Sequence, residues 1–291
     1  MSRKTERSAD LELVLAAILE AGRAVARVFG TDPQVWHKSP DQPVTDADLR
    51  ADRILHDRLT AARPGYGWLS EESGSDRNRR DRRRVWVVDP LDGTRSFVAG
   101  YPEFGLSVGL AEDGRPVIGT VLNPARREVF WAVRGEGAFR AVVVDESVGP
   151  VVPERDGRAL RERGQPVAIA REPAGRPVLL ASRSEIRRGE LEPFGVEEWE
   201  IRPLGSTAYK MAVIAAGQAH GYISRGEKSE WDVAGAALLV QEAGGRVTDL
   251  LGEPFRFNKR APDVTGVVAA TPGVHARLLE RVAALESPRL P

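Results

Sequence analysis

Apolar residues recur with helical spacing in several segments of the chain. Between residues 9 and 29 they lie three or four positions apart, which places them on one face of a helix. A second helix is predicted over 46–62, because Thr45 suits an N-cap and Asp48, three residues later, can complete a capping box. In the second half of the chain the same spacing predicts helices at 207–217, 232–243 and 272–286.

Short apolar or alternating runs predict β-strands. The first half contains four such runs, at 85–88, 104–110, 116–122 and 128–133, and "EDGRP" (112–116) is typical of a hairpin turn. The second half contains five, at 178–181, 199–202, 221–224, 245–249 and 264–270. The pattern therefore predicts an α+β first half, with helices on an antiparallel sheet, and an α/β second half.

Chain length and composition suggest how these elements are organised. With 291 residues and 42% hydrophobic content, the chain can form one large core or two modest ones. Residues 145–177 are rich in Pro, Gly and Arg and show little periodicity. We therefore expect an N-terminal half over 1–145, a connector over 146–177 and a C-terminal half over 178–291.

Composition also excludes several functional classes. Lys+Arg and Asp+Glu both number 42, so the balanced charge gives no reason to expect polymeric nucleic acid or a membrane as partner. The absence of cysteine excludes disulfides and thiolate metal sites, and four scattered histidines do not suit a zinc centre. Any metal site would use oxygen ligands. Because no apolar run approaches the roughly 18 residues of a membrane span, we expect a soluble, cytoplasmic protein.

Two aspartates end a strand in the stretch "DPLDGTRSF" (89–97). Asp89 and Asp92 follow the apolar run 85–88, where an unpaired carboxylate is costly to bury. Either Arg95 or a metal ion would compensate their charge. Further carboxylates stand in comparable settings, at Asp46, Asp48, Glu71, Glu72 and Asp232.

The acids have ordinary explanations singly and a chemical one jointly. Taken singly, Asp232 would be an N-cap, and the others would complement a helix dipole, shape a turn or lie on the surface. Taken together, they suit Mg²⁺, which prefers carboxylates and keeps waters and phosphates as further ligands. The amides of Gly93 and Thr94 would face a phosphate at a helix N-terminus. The combination predicts a phosphate-ester hydrolase.

Five motifs together resemble the inositol monophosphatase superfamily of Mg²⁺-dependent, lithium-sensitive phosphatases. The stretch 89–97 resembles its D-P-[IL]-D-G-T-x-x-F signature. Four other segments are similar to its remaining motifs and follow in the same order: "VTDADLRAD" (44–52), "SEES" (70–73), "RGEGAF" (134–139) and "EWDVAGAALLVQEAGG" (230–245). The resemblance implies a layered αβαβα sandwich with its site between the two halves, two or three Mg²⁺ ions, a small phosphorylated metabolite as substrate, and a monomer or homodimer.

The resemblance also implies a role for each matching residue. The metals would be held by Glu71, Asp89, the carbonyl of Leu91, Asp92 and Asp232. Glu71, rather than Glu72, matches the ligand position and counts among the catalytic residues. Thr94 and Asp48 would orient or deprotonate the attacking water, and the Gly93 and Thr94 amides would hold the phosphate. No covalent enzyme intermediate is expected, because metal-activated water attacks phosphorus directly.

Four segments favour one branch of the superfamily, the 3′(2′),5′-bisphosphate nucleotidases. "YPEF" (101–104), "SRSE" (182–185), "GSTAYK" (205–210) and "KSEWD" (228–232) are similar to their motifs, although Glu185 replaces a histidine and Lys210 comes one position late. Because a second phosphate needs donors, we expect substrate contacts from Ser182, Arg183, Ser184, Gly205, Ser206, Lys210 and Lys228. A surface ion pair for Arg183 and a snorkelling Lys210 are the alternatives.

The sequence therefore predicts removal of the 3′-phosphate from a bisphosphate nucleotide such as 3′-phosphoadenosine 5′-phosphate. An inositol-1-phosphate or sugar-phosphate phosphatase, including one acting on fructose-1,6-bisphosphate, is the alternative. A non-catalytic phosphometabolite binder is a third reading, and the complete set of acidic positions argues against it.

Overall fold

The computed structural model describes residues 3–31, 33–39, 42–143 and 153–286. Its helices are α1 (Arg3–Ala26), α2 (Asp46–Ala62), α3 (Thr94–Val98), α4 (Pro153–Glu162), α5 (Arg183–Arg187), α6 (Thr207–Ala215), α7 (Glu230–Glu242) and α8 (Pro272–Glu286). Its strands are β1 (Val35–Ser39), β2 (Gln42–Thr45), β3 (Gly67–Ser70), β4 (Gly74–Ser75), β5 (Arg84–Asp92), β6 (Gly105–Glu112), β7 (Arg115–Asn123), β8 (Glu128–Val133), β9 (Gly137–Val142), β10 (Gln165–Val167), β11 (Val178–Ala181), β12 (Glu200–Pro203), β13 (Gly221–Ser229), β14 (Arg246–Thr248) and β15 (Asp263–Ala270). Among the described helices, none combines the length and the apolar character needed to cross a membrane.

The strands form one hairpin and two larger sheets. β1 and β2 pair with each other in antiparallel fashion. The larger sheet has eight strands in the order β10-β9-β8-β7-β6-β5-β3-β4, and the other has five in the order β12-β11-β13-β15-β14. In the eight-stranded sheet every pair is antiparallel except β3 with β5. In the five-stranded sheet β11 runs parallel to both β12 and β13.

Helices and sheets alternate in five layers. α1 and α2 cover one face of the eight-stranded sheet, α6 and α7 lie between the two sheets, and α8 covers the outer face of the five-stranded sheet. β5 shows how its sequence serves both neighbouring layers: Trp86 and Val88 pack with α1 and α2, whereas Val85 and Val87 pack with α6 and α7. Fully burying each such side chain contributes roughly 1.5–3 kcal/mol. The predicted αβαβα sandwich is confirmed.

Two helix starts carry acids that also belong to the predicted site. The capping box of α2 is confirmed, since the Thr45 side chain accepts from Ala47 N and Asp48 completes the box. α7 has a second capping box, in which Ser229 is the N-cap and Asp232 lies three residues later. The alternative of Asp232 as an N-cap is therefore wrong, because that position belongs to Ser229. Both acids are fixed by backbone amides at a helix start.

The predicted connector contains two elements that sequence periodicity did not reveal. α4 packs against α1, and Gly157 allows the close approach because a Cβ there would collide with the carbonyl oxygen of Glu12. β10 extends the eight-stranded sheet by pairing with β9. Residues 146–152 of the connector lie outside the described residues. The described part of the connector thus adds to the N-terminal layers.

Two arginines of the arginine-rich run 76–84 bond to distant parts of the chain. Arg79 is buried, and its guanidinium donates to Asn258 Oδ1 at 2.5 Å and to the carbonyl of Lys259 at 2.8 Å. Arg84, also buried, pairs with Glu112 at 2.7 Å. Two arginines of the run therefore have structural partners, and the run contributes no residue to the cleft described below.

Candidate active site

A cleft of about 740 Å³ lies where the end of β5 meets the starts of α5, α6 and α7. It brings together residues that the sequence places more than 100 positions apart. The predicted site residues that line it are Glu71, Asp89, Leu91, Asp92, Gly93, Thr94, Ser182, Arg183, Ser184, Gly205, Ser206, Lys210, Lys228 and Asp232. Asp48 lies behind the cleft wall and reaches it through Thr94.

Three carboxylates form a compact cluster in the cleft. Oxygens of Asp89, Asp92 and Asp232 lie within 4.8 Å of one another, and the first two side chains are buried. The pairing of β5 with β6 changes register between Asp89 and Asp92. Because such a bulge re-aims side chains at a strand end, both aspartates contribute to the same cleft.

The electrostatics of this cluster call for a cation. Burial, followed by the negative charge of Glu71, raises the pKa of Asp89 well above its usual range. Burial and the charge of Asp92 raise the pKa of Asp232 to about 6. Carboxylates that are buried together repel one another unless a cation or a proton intervenes. Their oxygen donors fit Mg²⁺, which binds proteins through one or two carboxylates and keeps further positions for water and phosphate.

Thr94 connects the cleft to Asp48. Its hydroxyl oxygen lies 3.0 Å from Asp48 Oδ1 and 3.0 Å from the carbonyl oxygen of Leu91. The other Asp48 oxygen accepts from the Thr45 amide at 2.8 Å and the Thr45 hydroxyl at 2.5 Å. Burial raises the pKa of Asp48 to about 6, although the bonds from Thr45 act against it. Asp48 is therefore a carboxylate that can take up a proton close to neutral pH.

The start of α6 forms two hydrogen bonds with Asp92. Asp92 Oδ2 accepts from the Ser206 hydroxyl at 2.6 Å and from the Ala208 amide at 2.6 Å. Gly93 adopts a φ of 94°, which is the left-handed region that favours glycine. A Cβ on Gly93 would lie 3.2 Å from the Ser206 Cβ, so a larger residue would crowd this contact.

Arg183, expected to contact substrate, is held by residues of the first half. Its guanidinium donates two hydrogen bonds to Glu103, one of them at 2.9 Å, and lies 4.1 Å from the centroid of the Tyr101 ring. Glu103 also accepts from the Gly205 amide at 2.9 Å. Arg183 thus forms an ion pair with Glu103, as in the alternative prediction, but the pair lies in the wall of the cleft.

Lys210 forms a buried ion pair. Its ammonium lies 3.1 Å from Glu185 Oε2 and 4.0 Å from the centroid of the Tyr222 ring. Burial lowers the pKa of Lys210. Burial acts to raise the pKa of Glu185, but the Lys210 charge and bonds from Ser182 lower it to about 2. Because Lys210 is only 2% exposed, the side chain does not snorkel to the surface.

The comparisons with known proteins decide the family. Residues 7–287 match the inositol monophosphatase family.

The chain belongs to the inositol monophosphatase family.

Curated relatives within the family carry more than one name. An inositol-1-monophosphatase of Mesorhizobium japonicum is 36% identical over 84% of this chain and 87% of its own length. A 3′(2′),5′-bisphosphate nucleotidase CysQ of Aggregatibacter actinomycetemcomitans is 30% identical over 86% of this chain and 88% of its own. The crystal structure of the extragenic suppressor protein suhB from Bartonella henselae superposes with a TM-score of 0.76, at 29% identity over 94% of this chain and 98% of that one.

Membership makes the protein a metal-dependent phosphatase of the inositol monophosphatase family. The cleft also contains residues to which the motif comparison assigned no functional role. They are Pro43, Arg95, Ser96, Ala99, Tyr101, Glu185, Arg187, Arg188 and Thr207. The "YPEF" and "SRSE" segments pointed to their neighbourhood, but neither segment reveals which side chains pair across the cleft.

Proposed function

We propose that this inositol monophosphatase family member removes the 3′-phosphate of a bisphosphate nucleotide such as 3′-phosphoadenosine 5′-phosphate. The observation that carries the proposal is the stack of Arg183 on Tyr101 in the cleft wall. Tyr101 is 43% exposed although it lines the cleft. An exposed aromatic ring beside a guanidinium offers a surface on which a nucleobase can stack.

Mg²⁺ would be held by Asp89, Asp92 and Asp232, with Glu71 and the Leu91 carbonyl as further ligands. The support is the carboxylate cluster, whose oxygens lie within 4.8 Å and whose buried charges need compensation. When bound, such an ion lowers the pKa of water and neutralises charge on phosphoryl oxygens. The amides of Gly93 and Thr94 would hold the phosphate that is to be removed.

Thr94 and Asp48 would take the proton from the attacking water. The Thr94 hydroxyl donates its hydrogen to Asp48 Oδ1, 3.0 Å away, which leaves an oxygen lone pair to accept a proton. The water oxygen forms a bond to phosphorus as the bond to the 3′-oxygen breaks. The proton passes through Thr94 to Asp48, and the leaving oxygen takes a proton from solvent.

The second phosphate would lie among cations that line the cleft. Arg187, on the exposed side of α5, and the half-buried Lys228 both belong to the cleft wall. Lys228 lies close enough to Asp92 and Asp232 for its charge to favour their ionised forms. A nucleotide carrying two phosphates would satisfy these cations better than a single phosphate ester.

A second candidate is the hydrolysis of inositol-1-phosphate or a similar polyol monophosphate. It is favoured by the pairing of Arg183 with Glu103 and of Lys210 with Glu185, because paired cations attract a second phosphate less. The 36% identity to an inositol-1-monophosphatase points the same way.

The test is phosphate release with Mg²⁺ from 3′-phosphoadenosine 5′-phosphate, inositol-1-phosphate and fructose-1,6-bisphosphate, assayed side by side. We expect kcat/KM to be highest for the nucleotide. Lys228→Ala should raise KM for the nucleotide much more than KM for inositol-1-phosphate. A higher kcat/KM for inositol-1-phosphate would establish the second candidate, and no hydrolysis of any of the three would favour the non-catalytic binder.

A further inference from the structure

Ser206 adopts a backbone conformation that serine seldom takes. Its φ is 63° and its ψ is 125°, so it lies outside the regions that L-residues favour. Such residues persist where the surrounding structure holds them, and they cluster at functional sites. The position is buried and immediately precedes α6.

The hydroxyl of Ser206 bonds to two partners. It accepts from the Tyr209 amide at 3.0 Å, as the N-cap of α6, and donates its single hydrogen to Asp92 Oδ2 at 2.6 Å. The Ala208 amide donates to the same oxygen at 2.6 Å. One carboxylate oxygen of Asp92 is therefore held by two donors from the start of α6.

The other oxygen of Asp92 faces a different environment. No donor from the described residues bonds to Oδ1, and Asp92 lines the cleft beside Asp89 and Asp232. The two hydrogen bonds to Oδ2 thus fix the orientation of the carboxylate, and with it the position at which Oδ1 can coordinate a cation. Partners that orient a metal ligand in this way commonly change metal affinity by 10–100-fold when they are removed.

We propose that Ser206 is a positioning residue that acts through Asp92 on metal binding, rather than a contact for the substrate. Its single hydroxyl hydrogen is already committed to Asp92. The proposal rests on the metal dependence of the family and on the geometry at α6. It is independent of which phosphate ester is hydrolysed.

The test separates the hydroxyl from the backbone strain through two variants. Ser206→Gly removes the hydroxyl but suits a positive φ, and glycine is a tolerated N-cap. We expect its melting temperature to stay near that of the wild type, while the Mg²⁺ dissociation constant rises about 10–100-fold. Ser206→Thr keeps a hydroxyl but places a β-branched residue at positive φ. We expect its melting temperature to fall and its Mg²⁺ affinity to stay within about threefold of the wild type, which is small on the same scale.

Both quantities are measured on the full chain without substrate, by calorimetric titration of MgCl₂ and by thermal melting. Ser182→Gly is the matched control, because Ser182 is also an N-cap serine in the cleft wall and its hydroxyl bonds to Ser184 and Glu185. Its Mg²⁺ affinity should match the wild type. Wild-type affinity in Ser206→Gly, or equal weakening in Ser206→Gly and Ser182→Gly, would overturn the proposal. So would a loss of Mg²⁺ affinity in a folded Ser206→Thr.

Discussion

At the scale of single residues, Asp92 connects the two halves of the molecule. It ends β5, and the start of α6 binds one of its oxygens. An asparagine at this position would keep an oxygen for Ser206 and Ala208 while losing the charge that a cation needs. The fold and the proposed metal site can therefore be separated at this residue.

Asp92→Asn should lower phosphate release at least about 100-fold, because even groups that only support a metal ligand are worth 10–100-fold. Its thermal melting without metal should be unchanged or shifted upward, since one buried like charge is removed. Asp113→Asn, in the exposed turn between β6 and β7, is the control and should keep full activity. An active Asp92→Asn, or one that does not fold, would contradict the assignment of Asp92 as a ligand.

The ionisation of Asp48 should appear in the pH profile. Burial raises its pKa to about 6, so the proton acceptor is present above that pH and is lost as the pH falls below it. At saturating Mg²⁺, kcat should fall about tenfold per pH unit below pH ~6, as expected for a single essential base. The measurement is kcat between pH 5 and 8. A flat profile over this range would show that Asp48 does not take the proton.

At the scale of elements, the sequence predicted segments with a clear apolar pattern better than segments that are very short or have loop-like composition. The strand at 178–181 and the helix at 272–286 have the predicted bounds. The strand is a continuous apolar run that is buried on both faces. The helix has apolar periodicity and packs one face into the core. α5 and β10 are too short to show a period, and α4 lies in a segment whose composition is typical of a loop.

The ion pair of Lys210 with Glu185 ties α6 to α5, and breaking it should destabilise both. Lys210→Met leaves a buried carboxylate without its cation, which costs about 3–5 kcal/mol. We expect that loss in the free energy of unfolding by urea. The double variant Lys210→Met/Glu185→Gln should recover part of it.

Arg202→Met is a control for this measurement. Arg202 forms an exposed pair with Glu200, and exposed pairs contribute about 0–1 kcal/mol. A loss in Lys210→Met no larger than that of Arg202→Met would mean that the buried pair does not stabilise the fold.

At the scale of the whole molecule, the carboxylate cluster links stability to pH and metal. The pKa values of Asp89 and Asp92 are raised by burial, and that of Asp232 is raised to about 6, above the usual value of 3.8. Each carboxyl therefore has a lower pKa in the unfolded chain than in the folded protein. At pH values between the two, the folded protein binds protons that the unfolded chain does not, so stability falls as pH rises. Without metal, the melting temperature should therefore be lower at pH 8 than at pH 5.

Mg²⁺ should reverse this loss, because an ion that binds the folded state stabilises it. The measurement is thermal melting at both pH values, with EDTA or with Mg²⁺. Asp89→Asn should flatten the pH dependence found in EDTA. A pH dependence in EDTA that Asp89→Asn leaves unchanged would contradict the raised pKa of Asp89.

The site was only partly predictable from sequence, for a physical reason. The proposed metal ligands lie in local motifs, so the resemblance to the family could point to residues 89–94 directly. The contacts that build the rest of the cleft wall join distant positions: Ser206 with Asp92, 114 residues apart, and Arg183 with Glu103, 80 apart. No local periodicity encodes such pairs, because they arise only when the layers close on one another.

Trp36, on the hairpin of β1 and β2, provides a fluorescence signal close to the cleft. Trp36 on β1 is 46% exposed, whereas Trp68, Trp86, Trp131 and Trp199 are at most 2% exposed. On the opposite strand Pro43 pairs with His37, the neighbour of Trp36, and lines the cleft. Trp231, the sixth tryptophan, is half-buried. Iodide in solution should therefore quench the fluorescence of Trp36 most strongly. That signal should follow occupation of the cleft without any attached dye.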